Sequence, residues 1–208
     1  QDNLYCMREK QMDENQLIKA DNPKMQKAIS IKAKKGTLRS TSRAMLVKLI
    51  ERENTTSLDL SFRDFSEQDL SGMDLSGSNF TKSKFHHSNL SGANLSNAVL
   101  ASVTIETSNL SGALLKWASI TDSSICNSVL DYADLSQSSI TRTDLSSSSM
   151  KNSFLQKSLL YQVNINSVNL AGAKLSGATL EFIQHNEFTA FYAPLCPTKG
   201  SFYGYTKC

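Results

Sequence analysis

The chain has 208 residues, 39% of them hydrophobic and 20% charged, with nine Gly and three Pro. That length suits one domain with an appendage, and the composition excludes a disordered or collagen-like chain. No unbroken apolar run exceeds four residues, as at 44–47, against the ~20 that a spanning helix requires, so no membrane span is expected. The net charge of +3 is uneven: residues 1–54 hold twelve Lys and Arg against seven Asp and Glu, and residues 55–208 hold ten against twelve.

Residues 1–54 read as a polar, basic N-terminal arm followed by a capping helix. The opening Gln1-Asp2-Asn3-Leu4-Tyr5-Cys6 carries neither an initiator Met nor a signal segment, which suggests a trimmed or processed form. Lys24, Lys27, Lys32, Lys34 and Lys35 read more readily as a solvated helix face or flexible arm than as a nucleic-acid site. Thr41-Ser42-Arg43 then precedes Ala44, Met45, Leu46, Val47, Leu49 and Ile50, with Lys48, Glu51, Arg52 and Glu53 between them. This is the pattern of a capped amphipathic helix, expected to lid the region C-terminal to it.

Residues 55–182 are organised by a five-residue period. Every fifth position from 60 to 180 is a large apolar residue, from Leu60, Phe65, Leu70 and Leu75 through to Ile165, Leu170, Leu175 and Leu180. Two residues before each, from Ser78 to Ala178, only Ser, Ala, Val and Thr occur. In an extended chain positions i−2 and i share a face, so both series point inward. Position i+2 breaks the alternation and must turn the chain. Gly or Asn often stands there, as at Gly72, Gly92, Asn97, Asn127 and Gly172. A chain that bends every five residues coils, and stacked coils bury one continuous apolar column that no single repeat could bury alone. The first coil departs from the pattern, since Leu58, Arg63, Gln68 and Met73 replace the small residue and phenylalanines cluster nearby.

Ala93-Asn94-Leu95-Ser96-Asn97, Ala133-Asp134-Leu135-Ser136-Gln137 and Ser108-Asn109-Leu110-Ser111-Gly112 resemble the A(D/N)LXX motif of pentapeptide-repeat proteins. The resemblance implies an all-β solenoid, a right-handed quadrilateral β-helix with four repeats per coil, here with a short helical N-terminal segment. The 25 repeats would make a little over six coils and a rod ~30 Å tall. Some members of the family imitate the charge of DNA and so occupy gyrase. Between residues 58 and 182, eleven acidic and eight basic residues leave a net of −3, which is weak beside one charge per ~1.7 Å of duplex. Serine-rich repeats are also similar to those of effectors that enteric bacteria inject into host cells, some with a HECT-like ubiquitin ligase domain after the β-helix. The expected location is therefore the cytoplasm, or the host cell after secretion without a classical signal peptide.

Residues 183–208 leave the period and concentrate Phe188, Phe191, Tyr192, Phe202, Tyr203 and Tyr205 around Pro194 and Pro197. They read as a C-terminal cap, a dimer surface or the start of a further segment.

No catalytic, cofactor-binding or metal-binding residue is assigned, and the chain is not read as an enzyme. His86 and His87 are outward residues whose four-repeat neighbours include Glu67 and Glu106, an arrangement more often solvated than metal-binding. His185 and Cys196 stand in no recognisable nucleophile motif. Cys6, Cys126, Cys196 and Cys208 form no C-x-x-C pair and fit reduced thiols.

The feature that stands out is apolar side chains at outward positions. Leu114, Trp117, Tyr132, Phe154, Leu159 and Tyr161, with Val99 and Val129 nearby, fall on neighbouring faces if four repeats make a coil. Such a patch marks either a contact surface or a site covered by the chain's own terminus. The function expected is a protein-interaction or scaffold module, with a protein partner and with homodimerisation through the C-terminal segment left open. The alternatives are the non-catalytic β-helix of a larger ligase effector and a gyrase-binding DNA mimic.

Overall fold

A computed structural model describes residues 39–189 and 202–203. The arm at 1–38, with its lysines and Cys6, lies outside the described residues, as do Cys196, Cys208 and most of the aromatic tail.

Parallel pairing in steps of 20 residues builds the solenoid. Asp59 bridges Asn79 and Asn79 bridges Val99. The same ladder continues through β3 (Val99–Ala101), β4 (Ser119–Thr121), β5 (Ser139–Thr141), β6 (Leu159–Tyr161) and β7 (Thr179–Glu181), each pairing its neighbour in parallel. The remaining three faces are held by single parallel bridges at the same interval, for example Asp74 to Asn94, Leu114, Asp134, Phe154 and Lys174 in turn. Twenty residues per coil at a five-residue period is four repeats per coil, so the solenoid has four sides.

The turning position is now explicit. Every fifth residue from 62 to 182 has a φ between 48° and 72°, the left-handed region in which two outward residues follow one another and the strand swings into the next face. The closest approach is at Gly172, where a Cβ would meet Asn152 Oδ1 of the coil below, the tip of a side chain that can turn aside. Elsewhere Asn, Ser, Lys and even aromatic residues accept the conformation.

The inward columns are dry. Leu60, Phe80, Leu100, Ile120, Ile140, Leu160 and Leu180 are buried on one face and Leu75, Leu95, Leu115, Leu135 and Leu155 on another. Phe65 and Phe85 stack at 4.9 Å while Phe80 meets both edge-on, filling the first coils with rings where the small-residue pattern is weakest.

The four corners fall into two kinds. After Leu90, Leu95, Leu110, Leu115 and Leu130, the N–H three residues on donates directly to the Leu carbonyl at 3.0–3.1 Å. Ala93, Ala98, Ala113, Ala118 and Ala133 occupy those inward positions. At the other two corners the direct bond is mostly absent, and a serine of the next coil joins the two groups instead. Ser108 N–H donates to Ser128 Oγ at 3.1 Å and Ser128 Oγ donates to Ile105 O at 3.0 Å. Ser83, Ser108, Ser123 and Ser148 make the same bridge for the corners at Leu60, Phe85, Leu100 and Ile125. Alanine in the small inward position is thus confined to the corners that close directly, which also admit Ser78, Ser138, Ser153 and Ser158, while at the open corners a hydroxyl joins the buried N–H and carbonyl that need a partner.

The helix expected upstream is α1 (Arg43–Glu53), capped by Ser42, whose Oγ accepts from Met45 N–H, and ended by Asn54 in the left-handed region. Leu46 is buried and Leu49 and Ile50 pack against the core. Arg43 Nη1 donates to Asp69 O and Ser71 O of the first coil at 3.0 and 2.9 Å. Ahead of α1, β1 (Arg39–Ser40) pairs with β2 (Arg63–Asp64), so an added strand and a helix meet the first coil's open edge.

At the other end the ladder runs two residues beyond the expected limit of the repeats. β8 (Ile183–Gln184) keeps the step, with Gln184 bridging Asn164 and Ile183 buried, and it pairs with β9 (Phe202–Tyr203). His185 then takes the place of the next inward apolar residue. Side chains imitate the missing coil. Ser167 N–H donates to Asn186 Oδ1 at 2.8 Å, where Ser147 N–H uses the backbone oxygen of Asn166. Thr189 Oγ1 donates to Ile165 O at 2.9 Å, as the bridging serines do below.

Candidate functional site

The outward apolar residues occupy defined columns. Leu114 and Phe154 belong to one column of one face, separated by Asp134, so they stand two coils or ~9.6 Å apart rather than stacked. Trp117 is the turning residue that leads from this face to the β3–β7 face, followed in its column by Gln137 and Lys157. Leu159 and Tyr161 flank Leu160 on the β3–β7 face. Tyr132 turns the corner on the opposite side of the Leu114 face, where the chain elsewhere uses Gly92, Gly112 and Gly172.

Exposure divides the six. Tyr132 is 61%, Trp117 51%, Leu114 44% and Leu159 37% exposed. Phe154 and Tyr161 are half-buried. Lys174 Nζ lies 4.6 Å from the Phe154 ring, and Tyr161 meets Phe182 edge-on at 5.3 Å. Lys116 Nζ sits 5.2 Å from the Trp117 ring. Val99 and Val129 are also exposed, in the first case beside Ser119 of the next strand.

Trp117 and Tyr132 hold φ of 58° and 60°. A bulky side chain in that region costs on the order of 1 kcal/mol against Gly or Asn.

Phe62 and Phe182 were not singled out from the sequence, yet both are exposed apolar residues at turning positions, with φ of 56° and 52°. Their signal was present in the register, two residues after Leu60 and Leu180. Lys82 Nζ lies 5.4 Å from the Phe62 ring.

The remaining polar clusters are small. His86 Nδ1 lies 3.5 Å from Glu106 Oε2, and Ser124 Oγ donates to Glu106 Oε1 at 3.2 Å and touches Cys126 Sγ at 3.5 Å. Among the described residues no group of three or more His, Cys, Asp or Glu is arranged to hold a metal ion. Arg142 grips Asp122 of the coil below through Nε and Nη2 at 2.6 and 2.8 Å. These hydrogen bonds hold the Asp122 carboxyl below the usual carboxylate range against an opposing desolvation, with a further lowering from the guanidinium charge. Beside the pair, Arg142, Thr143, Asp144, Gln162, Val163, Asn164, Phe182 and Gln184 line a shallow, open depression. Among the described residues no helix is long and apolar enough to cross a membrane.

Comparison with known proteins supplies the family. No curated protein sequence matches the chain. Solved structures similar to it include the plasmid-mediated fluoroquinolone resistance protein QnrB1, at 22% identity and TM-score 0.48 over 60% of this chain and 67% of that one. The pentapeptide repeat protein Rfr23 of the cyanobacterium Cyanothece is similar at 17% identity and TM-score 0.38, over 72% and 99%. HetL of the cyanobacterium Nostoc, a pentapeptide repeat protein involved in heterocyst differentiation regulation, is similar at 19% identity and TM-score 0.21, over 69% and 94%. The family model for pentapeptide repeats matches eight copies over residues 59–101, 108–147 and 143–181, more than half of the chain. With its 20-residue parallel coil and its positive φ at every fifth residue, the chain belongs to the pentapeptide-repeat family.

Proposed function

We propose that the protein is a binding module whose contact surface is built from Leu114, Trp117, Tyr132, Phe154, Leu159 and Tyr161. The observation that carries this reading is the pair Trp117 and Tyr132: large, exposed side chains at strained turning positions that Gly or Asn would fill at lower cost. A large side chain that strains its turn and leaves half or more of its surface exposed is read as kept for what it touches. Interfaces draw most of their energy from such aromatic anchors. The rigid ladder beneath fixes their spacing, so little ordering entropy is lost on binding. The rod acts without chemistry of its own.

The likeness of the serine-rich repeats to injected effectors makes host proteins the first partner pool, whether the rod acts alone or as the non-catalytic part of a larger ligase effector. A gyrase-directed duplex mimic is disfavoured by the net charge of −3 over residues 58–182. The test is affinity capture from bacterial and host lysates, comparing the chain with a Leu114→Glu, Trp117→Glu, Tyr132→Glu variant of equal circular dichroism. Loss of the same captured protein, or of self-association in sedimentation, supports the reading. Identical capture by both chains overturns it.

A further inference from the structure

The Leu114 face is basic as well as apolar. From the coil of Leu114 upward, the face and its Trp117 corner carry Lys116, Lys157 and Lys174 against Asp134, while on the Tyr132 corner Lys151 and Asp131 stand one coil apart and offset each other in charge. None of these lysines has an ion-pair partner among the described residues, although Arg43, Arg52 and Arg142 do. Lys116 and Lys174 lie against the Trp117 and Phe154 rings. Lys157 runs up its corner toward Gly177, where an added Cβ would meet its Cγ at 3.4 Å. Uncompensated cations thus alternate with exposed apolar groups along one rigid face, while five acids, Asp59, Asp64, Glu67, Asp69 and Asp74, crowd the first coil.

We propose that this face takes an acidic peptide segment carrying apolar side chains, with its carboxylates set on Lys116, Lys157 and Lys174 and its apolar groups on Leu114, Trp117 and Phe154. This rests on the reading of the outward residues as a contact surface and names the partner's chemistry. Leu114 and Phe154 stand ~9.6 Å apart along the rod, close to three residues of an extended chain. Peptide fits better than nucleic acid. Asp134 interrupts the column between Leu114 and Phe154, where it repels a phosphate backbone but can accept a peptide N–H. Three lysines on a rod of net −3 also fall short of the phosphate neutralisation that nucleic-acid affinity needs.

The test uses the full chain immobilised against a phage library of random peptides, in parallel with a Lys116→Glu, Lys157→Glu, Lys174→Glu variant that leaves Leu114, Trp117 and Phe154 in place. Recovered peptides should pair Asp or Glu with Leu, Phe or Trp. A synthetic copy of the best should bind the charge-reversed chain about tenfold or more weakly and lose affinity as salt is raised. Peptides without acidic excess, or equal binding to both chains, overturn the proposal. So does tighter binding of an oligothymidylate than of any acidic peptide. If the natural partner is lost with the Leu114→Glu, Trp117→Glu, Tyr132→Glu variant but kept by the lysine variant, the charge inference fails while the contact surface stands.

Discussion

The interior of the solenoid and its outer surface obey different rules. Inside, every column keeps a large apolar residue from coil to coil, and one keeps a single type, Leu75, Leu95, Leu115, Leu135 and Leu155, because a side chain out of size opens a void or forces a strand apart. Outside, a column such as Asp74, Asn94, Leu114, Asp134, Phe154 and Lys174 has no common chemistry. Stability is written in what repeats, and recognition in what does not. The corners refine this contrast, since an inward serine is structural where it completes an open turn and dispensable where the turn closes by itself.

The largest effect should come from the repeating interior. Leu135→Ala should cost ~2–5 kcal/mol by losing burial and leaving a cavity, whereas Ser136→Ala, one residue outward, should cost within ~0.5 kcal/mol in denaturant melts. Equal costs would erase the inside–outside distinction.

Three serine-to-alanine changes sharpen the corner comparison at constant chemistry. Ser128→Ala should cost ~1–3 kcal/mol, because it orphans both the Ser108 N–H and the Ile105 carbonyl. Ser138→Ala should cost about 0.5–1 kcal/mol, since Leu135 O keeps its direct bond from the residue 138 N–H. Ser153 Oγ is buried without a partner, so Ser153→Ala should be neutral or stabilising by a few tenths, roughly. Equal costs at all three would show that the hydroxyl bridge carries no weight.

Much of this was legible in the sequence alone. The period placed the core, the turning positions and the outward apolar residues, because a repeat fixes which way each side chain points. The helix at 43–53 was legible from its cap and apolar stripe. What was not legible was why alanine enters the small column at some corners and never at others. That depends on which corners are open, which is a property of paired coils and not of one repeat. The end of the solenoid was hidden for a related reason: Asn186 and Thr189 act through side chains that replace backbone atoms, and no periodicity marks such mimicry. The exposure of Leu114 and the half-burial of Phe154 were equally invisible, since Lys174 reaches the Phe154 ring from the coil above.

Two smaller effects concern the surface. Tyr132→Asn should stabilise the fold by ~0.5–1 kcal/mol, because Asn accepts the φ of 60° and little packing is lost. A loss of stability in thermal melts would mean that Tyr132 is structural. The smallest effect is at Asp122. Its carboxyl titrates below the ordinary range, so the Arg142 contact adds stability that is present above the unfolded Asp pKa and is lost as pH falls through the lowered folded value. Arg142→Ala should return Asp122 toward the ordinary value in an NMR titration and remove that acid-side dependence. An unchanged Asp122 titration would contradict the pairing.

The most direct measurement of the central claim is made on one double variant, Trp117→Ala with Phe154→Ala, following both its denaturant midpoint and its binding to the captured partner or to itself. The account predicts a stability within ~1 kcal/mol of the parent and a loss of about thirtyfold or more in affinity. A stability drop as large as that of Leu135→Ala, with affinity intact, would contradict it and make these outward side chains part of the fold.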